Sequence, residues 1–223
     1  MMPAWSFSSL TNFETCPKRY QIVKVLKKVK EPPTEATEWG TAVHLALEER
    51  VRDGKPLPDT MEKWEKVADK ICGIKGKVYC EHEFAFDRNL ELTEWMSPTA
   101  WCRGIIDVWI HGGNKAVAYD YKTGKVKQDN DQLKLFAAFI MQQHPEIEVV
   151  STGFIWLAAN KVTIETFTRN QLAGIWEEFT SRSLRLQAAF DRDKWIPKPS
   201  GLCSGWCPVG RENCEFWSPK RSK

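Results

Sequence analysis

Gly104-Ile105-Ile106-Asp107-Val108-Trp109-Ile110 and Val117-Ala118-Tyr119-Asp120-Tyr121-Lys122 lie on either side of His111-Gly112-Gly113-Asn114. Both runs are rich in β-branched and aromatic residues, as strands are, and the paired glycines between them mark a hairpin turn. The reading predicts strands over 101–110 and 115–121. Each strand carries one carboxylate among apolar neighbours, which is costly unless the acid is paired or bound to a cation. The hairpin sets the strands side by side, so Asp107 and Asp120 are expected to converge. Lys122, two residues beyond Asp120, shares its face of the sheet. Hard divalent cations take such oxygen ligands. A neighbouring amine steadies a phosphate while the ion polarises its phosphoryl oxygen. Glu81 and Glu83 share a face of a preceding strand, 77–86, and could complete the site; His44 could add a nitrogen ligand. Taken singly, either aspartate fits a strand-end ion pair and His44 a satisfied core histidine. The combination is what points to chemistry.

Around this centre the order is helices, three strands, a helix, two strands and a helix, which predicts a mixed α/β fold: a central mixed sheet of about five strands flanked by helices. Helices are expected over 6–15, from Pro17 to about Val29 (ended by Pro32-Pro33), and over 38–52, 60–74 and 131–143. A long last helix is opened by a capping box at Thr168 and Gln171 and runs to about Phe190. Strands are expected over 149–157, as a central strand, and 161–167. Trp39, Trp109, Trp156 and Trp176 fit apolar stripes and are assigned to the core. The segment 18–30 carries Lys18, Arg19, Lys24, Lys27 and Lys28 with no acid among them. It is either a solvated face or a phosphate-contacting one, as is the tail Lys220, Arg221, Lys223.

The chain has 223 residues, with 32 Lys and Arg against 29 Asp and Glu. The resulting charge of +3 favours a polyanion partner only weakly. No apolar run reaches the roughly 18 residues of a membrane span, and the N-terminus lacks a signal-peptide pattern, so a cytoplasmic protein is expected. The seven cysteines are an odd number, which argues against a disulfide framework. Cys72, Cys80 and Cys102 read as small core hydrophobes. Cys203, Cys207 and Cys214, with three and then six residues between them, crowd a Gly- and Trp-rich segment, and Cys16 precedes Pro17 near the other end. Four such thiols suit a tetrahedral zinc or an iron–sulfur cluster, and the spacing alone does not choose. Either would pin the chain ends together, with Trp5, Trp206 and Trp217 as candidates to pack around the centre.

Asp107 followed by Asp120-Tyr121-Lys122 resembles the signature of the PD-(D/E)XK nuclease superfamily. More narrowly, the chain resembles the RecB-type and CRISPR-associated iron–sulfur exonuclease branch, in the style of compact bacteriophage members, over nearly its whole length. Ser6-Phe7-Ser8-Ser9-Leu10 through Cys16-Pro17-Lys18-Arg19-Tyr20 is similar to that branch's opening helix and first cluster cysteine. Gly40-Thr41-Ala42-Val43-His44 is similar to its histidine motif, and Gln132-Leu133-Lys134-Leu135-Phe136 to its glutamine motif, with Phe136 where tyrosine is usual. The resemblance implies a restriction-endonuclease-like core. It implies Mg²⁺ or Mn²⁺ held by His44, Asp107, Asp120 and the Tyr121 carbonyl, with Lys122 as the catalytic lysine. Glu81 is preferred over Glu83 as the strand acid, and Gln132 would orient the substrate or the lysine. It further implies a 4Fe–4S cluster on Cys16, Cys203, Cys207 and Cys214, although the C-terminal spacing is looser than the family's usual form, so zinc stays open.

The function expected is a metal-dependent DNA exonuclease acting in recombination, repair or replication, with DNA as partner and a single-strand annealing or helicase protein as a possible second. The chain is expected to be one nuclease domain, 1–223, in which 1–35 and 195–223 form a cysteine subdomain around a core of 36–194. The alternatives are a non-catalytic DNA-binding module and a zinc-stabilised interaction protein of the same fold. Dinucleotide, Walker A, His-Glu-x-x-His and Gly-x-Ser-x-Gly motifs are missing.

Overall fold

A computed structural model of the chain describes residues 2–31, 33–128 and 130–219. Pro32 and the tail residues Lys220, Arg221 and Lys223 lie outside them. Five strands form one sheet in the order β1-β2-β3-β4-β5: Lys77–Phe86, Cys102–Gly112, Lys115–Lys122, Val149–Trp156 and Lys161–Thr168. Neighbours are antiparallel except β3 and β4. A parallel pair needs a crossover, and helix α5, Asp131–Gln143, supplies it. The middle strand is β3. The apolar β4, read as central, is an interior strand between β3, beside which the crossover sets it, and the edge strand β5.

Alternation along β2 separates the two faces. Val108 and Ile110 enter a core with Val43 and Leu47 of α3, Glu35–Asp53, and with Ala68 and Ile71 of α4, Glu65–Cys72. Trp109, between them, points the other way and stacks on Tyr79 with ring centroids 4.3 Å apart. That second face is aromatic: Phe84 and Phe86 pack against Phe139 of α5, and Phe139 against Trp176. Gly104 lies under Phe139, where a Cβ would stand 2.2 Å from the ring. The close approach explains a glycine inside a strand.

Two compact units divide the chain: Thr34–Glu178, which contains the sheet, and the residues up to Pro33 together with those from Phe179 onward. The division falls within α6, Leu172–Asp191. In the second unit, α1, Phe7–Thr15, is opened by the Ser6–Ser9 capping box. Glu14 receives two hydrogen bonds from Arg182, and Trp5 is fully buried, stacked on Phe179.

Several local expectations differ from what is observed. The basic helix is short: α2, Pro17–Tyr20, passes into a π-helical turn, Gln21–Val25, and Lys27 has left the helix with φ 50°. The next helix starts at Glu35 rather than 38, because Thr34 and Thr37 close a capping box there. The segment 60–74 begins as a 3-10 turn, Asp59–Trp64, before α4. Trp39 is 40% exposed and Cys72 is exposed, so neither is a core residue.

Candidate active site

The pairing of β2 with β3 ends at Val108 and Tyr119. One step further along the same register, Asp107 stands opposite Asp120. Both are buried. The ladder does not continue through them; instead Asp107 Oδ2 accepts the Tyr121 N–H at 2.7 Å. On the other side of β2, Cys80 pairs with Val108 and His82 with Ile106, which sets Glu81 across from Asp107. Glu81 has φ 46°, a left-handed conformation unfavourable for a residue with a Cβ, and strain of this kind concentrates at functional sites. Ligand atoms of His44, Glu81 and Asp107 lie within 4.8 Å of one another. Glu83 is exposed.

His44 comes from α3. Its Nδ1 is 3.2 Å from Asp107 Oδ2, and its Nε2 donates to the Tyr121 carbonyl at 2.8 Å. The Asp107 hydrogen bond raises the His44 pKa against the opposing effect of burial, and the Asp107 and Asp120 charges help. Burial, then the Asp107 charge, push the Asp120 carboxyl up to about 7, and Lys122 and His44 only partly pull it back. Burial likewise raises Glu81, with the Asp107 and Glu48 charges adding to it. The site therefore concentrates more negative charge than its own cations neutralise, and the donor set of carboxylates, one imidazole and a carbonyl fits a hard dication.

Lys122 and Gln132 close a three-cornered network around Asp120. Lys122 Nζ lies 2.6 Å from Asp120 Oδ2 and donates to Gln132 Oε1 at 3.2 Å, while Gln132 Nε2 donates to Asp120 Oδ1 at 3.1 Å. Helix α5 delivers Gln132 from its first turn, which explains how a residue ten positions beyond Lys122 reaches it. The ammonium also lies 5.0 Å from the centroid of the buried Phe154 ring. His44 and Glu81 face an open groove of about 600 Å³ that is also lined by Thr37, Gly40, Thr41, Glu48 and Thr123, among others. Sequence reading missed Thr37, Thr41 and Glu48. Their signal was available, since positions 37, 41, 44 and 48 fall on one face of a helix.

The model of the PD-(D/E)XK nuclease superfamily matches residues 4–214. The chain belongs to this superfamily. Membership makes it a nuclease of a divalent-metal-using, DNA-cleaving class. Among solved structures, a provisionally named exonuclease from Eubacterium rectale is 12% identical, with TM-score 0.53, covering 98% of this chain and 91% of that one. The protein SSO0001 is 14% identical, with TM-score 0.49, covering 94% and 85%. The first shares the fold, a restriction-endonuclease-like sheet with flanking helices. No curated protein sequence matches the chain.

In this PD-(D/E)XK protein Cys16, Cys203, Cys207 and Cys214 line one small cavity of about 20 Å³, with Lys18, Arg19, Lys198 and Val209. Cys16 sits at the junction of α1 and α2. Two of its sulfurs accept backbone N–H groups: Cys16 from Lys198 and Cys203 from Ser200, each at 3.4 Å. Cys207 and Cys214 also pack on Ile22, Val23 and Val209, and burial raises the Cys207 thiol. Of the three tryptophans assigned to this neighbourhood, Trp217 donates to the Cys207 carbonyl at 2.9 Å. Trp206 is 66% exposed, and Trp5 is occupied by Phe179.

The five basic candidates do not share one surface. Lys18 and Arg19 are half-buried at the cysteine cavity, where Lys18 bonds Gln21 and Arg19 bonds Asn12 and Glu31. Lys24, Lys27 and Lys28 are exposed, and Lys24 lies 3.9 Å from Glu31. The run contains no acid, but Glu31 just past it supplies one. No helix among the described residues is long and apolar enough to cross a membrane.

Proposed function

We propose that the chain is a divalent-metal-dependent deoxyribonuclease that digests DNA from its ends, with the site on β2 and β3. The observation that carries this reading is the direct opposition of Asp107 and Asp120, held beside the Lys122–Gln132 network and next to His44 and Glu81, which line a groove. Asp107, Asp120, Glu81, His44 and the Tyr121 carbonyl would hold Mg²⁺ or Mn²⁺. When bound, such an ion supplies Lewis-acid polarisation of the phosphoryl oxygen and eases deprotonation of water. Lys122 then has two tasks. Its ammonium offsets the Asp120 charge before substrate arrives, and it stabilises negative charge developing on the phosphate, as a cation held in place beforehand by Asp120 and Gln132. Gln132 orients that ammonium. Of the five basic candidates, Lys24, Lys27 and Lys28 are the exposed ones and would contact the DNA backbone.

Cys16, Cys203, Cys207 and Cys214 would hold a 4Fe–4S cluster with a structural role. All four thiols line one cavity, which suits either a cluster or a tetrahedral zinc, and the resemblance to the iron–sulfur branch favours the cluster.

The deciding experiment incubates end-labelled linear DNA and covalently closed circles with Mg²⁺, Mn²⁺ or chelator. Wild type should release short products from linear DNA only, and Asp120→Ala and Lys122→Ala should lose at least about 100-fold in rate. Nicking of circles would overturn the end-dependent mode. Divalent-independent or absent cleavage would overturn the assignment of the site.

A further inference from the structure

We propose that His111, His144 and Glu146 form a second metal site, separate from the nuclease centre, for a borderline-soft dication of the zinc type. His111 is near the end of β2, His144 caps the C-terminus of α5, and Glu146 follows two residues later. One carboxylate oxygen, Glu146 Oε1, lies 3.4 Å from His111 Nε2 and 3.2 Å from His144 Nδ1, and the three ligand atoms lie within 4.8 Å of one another. Zinc bonds of about 2.0–2.2 Å put neighbouring ligand atoms of a tetrahedron about 3.3 Å apart. Both nitrogen–oxygen separations already match that edge. The imidazole planes are inclined at 51° with centroids 5.2 Å apart, so the rings are tilted rather than stacked.

Two nitrogens and one oxygen select zinc, cobalt, nickel or copper over magnesium or calcium, the reverse of the carboxylate-rich nuclease centre. His144 Nε2 is buried without a hydrogen-bond partner, which leaves Nδ1 as the nitrogen presented to an ion. His111 Nε2 donates to the Gly113 carbonyl at 2.9 Å; coordination through Nε2 gives up that hydrogen bond and takes the neutral tautomer in which the single ring proton sits on Nδ1. The scaffold is already set. Arg169 donates to the carbonyls of Met141, His144 and Ile147, and Glu148 N–H donates to the Asn114 carbonyl. A bound ion would join the β2–β3 hairpin to the end of α5.

The chain has four histidines, His44, His82, His111 and His144, so imidazole resonances of ¹⁵N-histidine-labelled full-length protein report the site directly. Zinc chloride is titrated in excess Mg²⁺, which occupies the nuclease centre; zinc taken by cysteines leaves His111 and His144 unshifted. The expected result is that His111 and His144 shift together and that Glu146→Gln weakens this by at least about tenfold. Glu146 is exposed, so that variant keeps its fold, which its amide spectrum verifies. His111→Ala should abolish the His144 shift. Zinc that moves only His44, or moves His111 and His144 equally in wild type and Glu146→Gln, overturns the proposal.

Discussion

Asp120 is a carboxylate that the fold disfavours in its ionised form, since burial and Asp107 hold its pKa up to about 7. A proton and a divalent ion compete for the same oxygens. Mn²⁺ affinity should therefore be weak at about pH 6 and several-fold tighter at about pH 8, measured by titration calorimetry; a flat profile contradicts the placement of the ion at Asp120. In chelator the sign for stability is opposite. A group whose pKa is raised on folding contributes stability that is present below its unfolded pKa and is lost as pH rises through its folded one. The stability of Asp120→Asn relative to wild type should thus grow between about pH 4 and about pH 7, read from urea midpoints. Gly104 makes a different kind of demand. Phe139 above it is fully buried among Phe84, Phe86 and Trp176 and cannot swing aside, so Gly104→Ala should cost about 1–3 kcal/mol in chemical denaturation.

At the level of elements, α5 positions the chemistry, because it carries Gln132 at one end and is fastened at the other by Arg169. That guanidinium reaches carbonyls at the helix C-terminus, where orphan acceptors and the negative end of the helix dipole both favour a cation. Arg169→Leu should cost about 2–3 kcal/mol and lower the thermal midpoint, without changing the metal requirement of any remaining activity. The strand β1 shows how an irregularity positions a side chain. Tyr79, His82 and Phe84 all lie on the Trp109 side, three and then two residues apart, because the left-handed Glu81 breaks the alternation between them. That break, and not the simple period of two, brings the Glu81 carboxylate to His44 and Asp107.

Over the whole molecule, the four thiols belong to the unit made from both chain ends, and the acids to the unit that contains the sheet. On the proposed 4Fe–4S assignment the purified protein should be brown with absorbance near roughly 400 nm, and Cys203→Ala should remove both. In hydrogen exchange it should lower protection in the segments up to Pro33 and beyond Phe179, while 34–178 keeps its own. Equal loss of protection everywhere would mean that the two units do not open independently.

Periodicity and turn chemistry were enough to read β1 and α5 at their observed bounds and the β2–β3 hairpin nearly so, because alternation, paired glycines and a helical stripe are local properties of the chain. The same locality made the meeting of Asp107, Asp120 and Lys122 legible, since a tight hairpin leaves few registers. Other features depended on contacts between residues distant in sequence. Glu31 neutralising Arg19, Trp5 turning to Phe179, and Trp39 left near the surface follow from packing that no window of sequence contains. The left-handed Glu81 and the meeting of His111, His144 and Glu146 are likewise products of tertiary register, because each requires a strand or helix end to be placed against another before its side chains acquire neighbours.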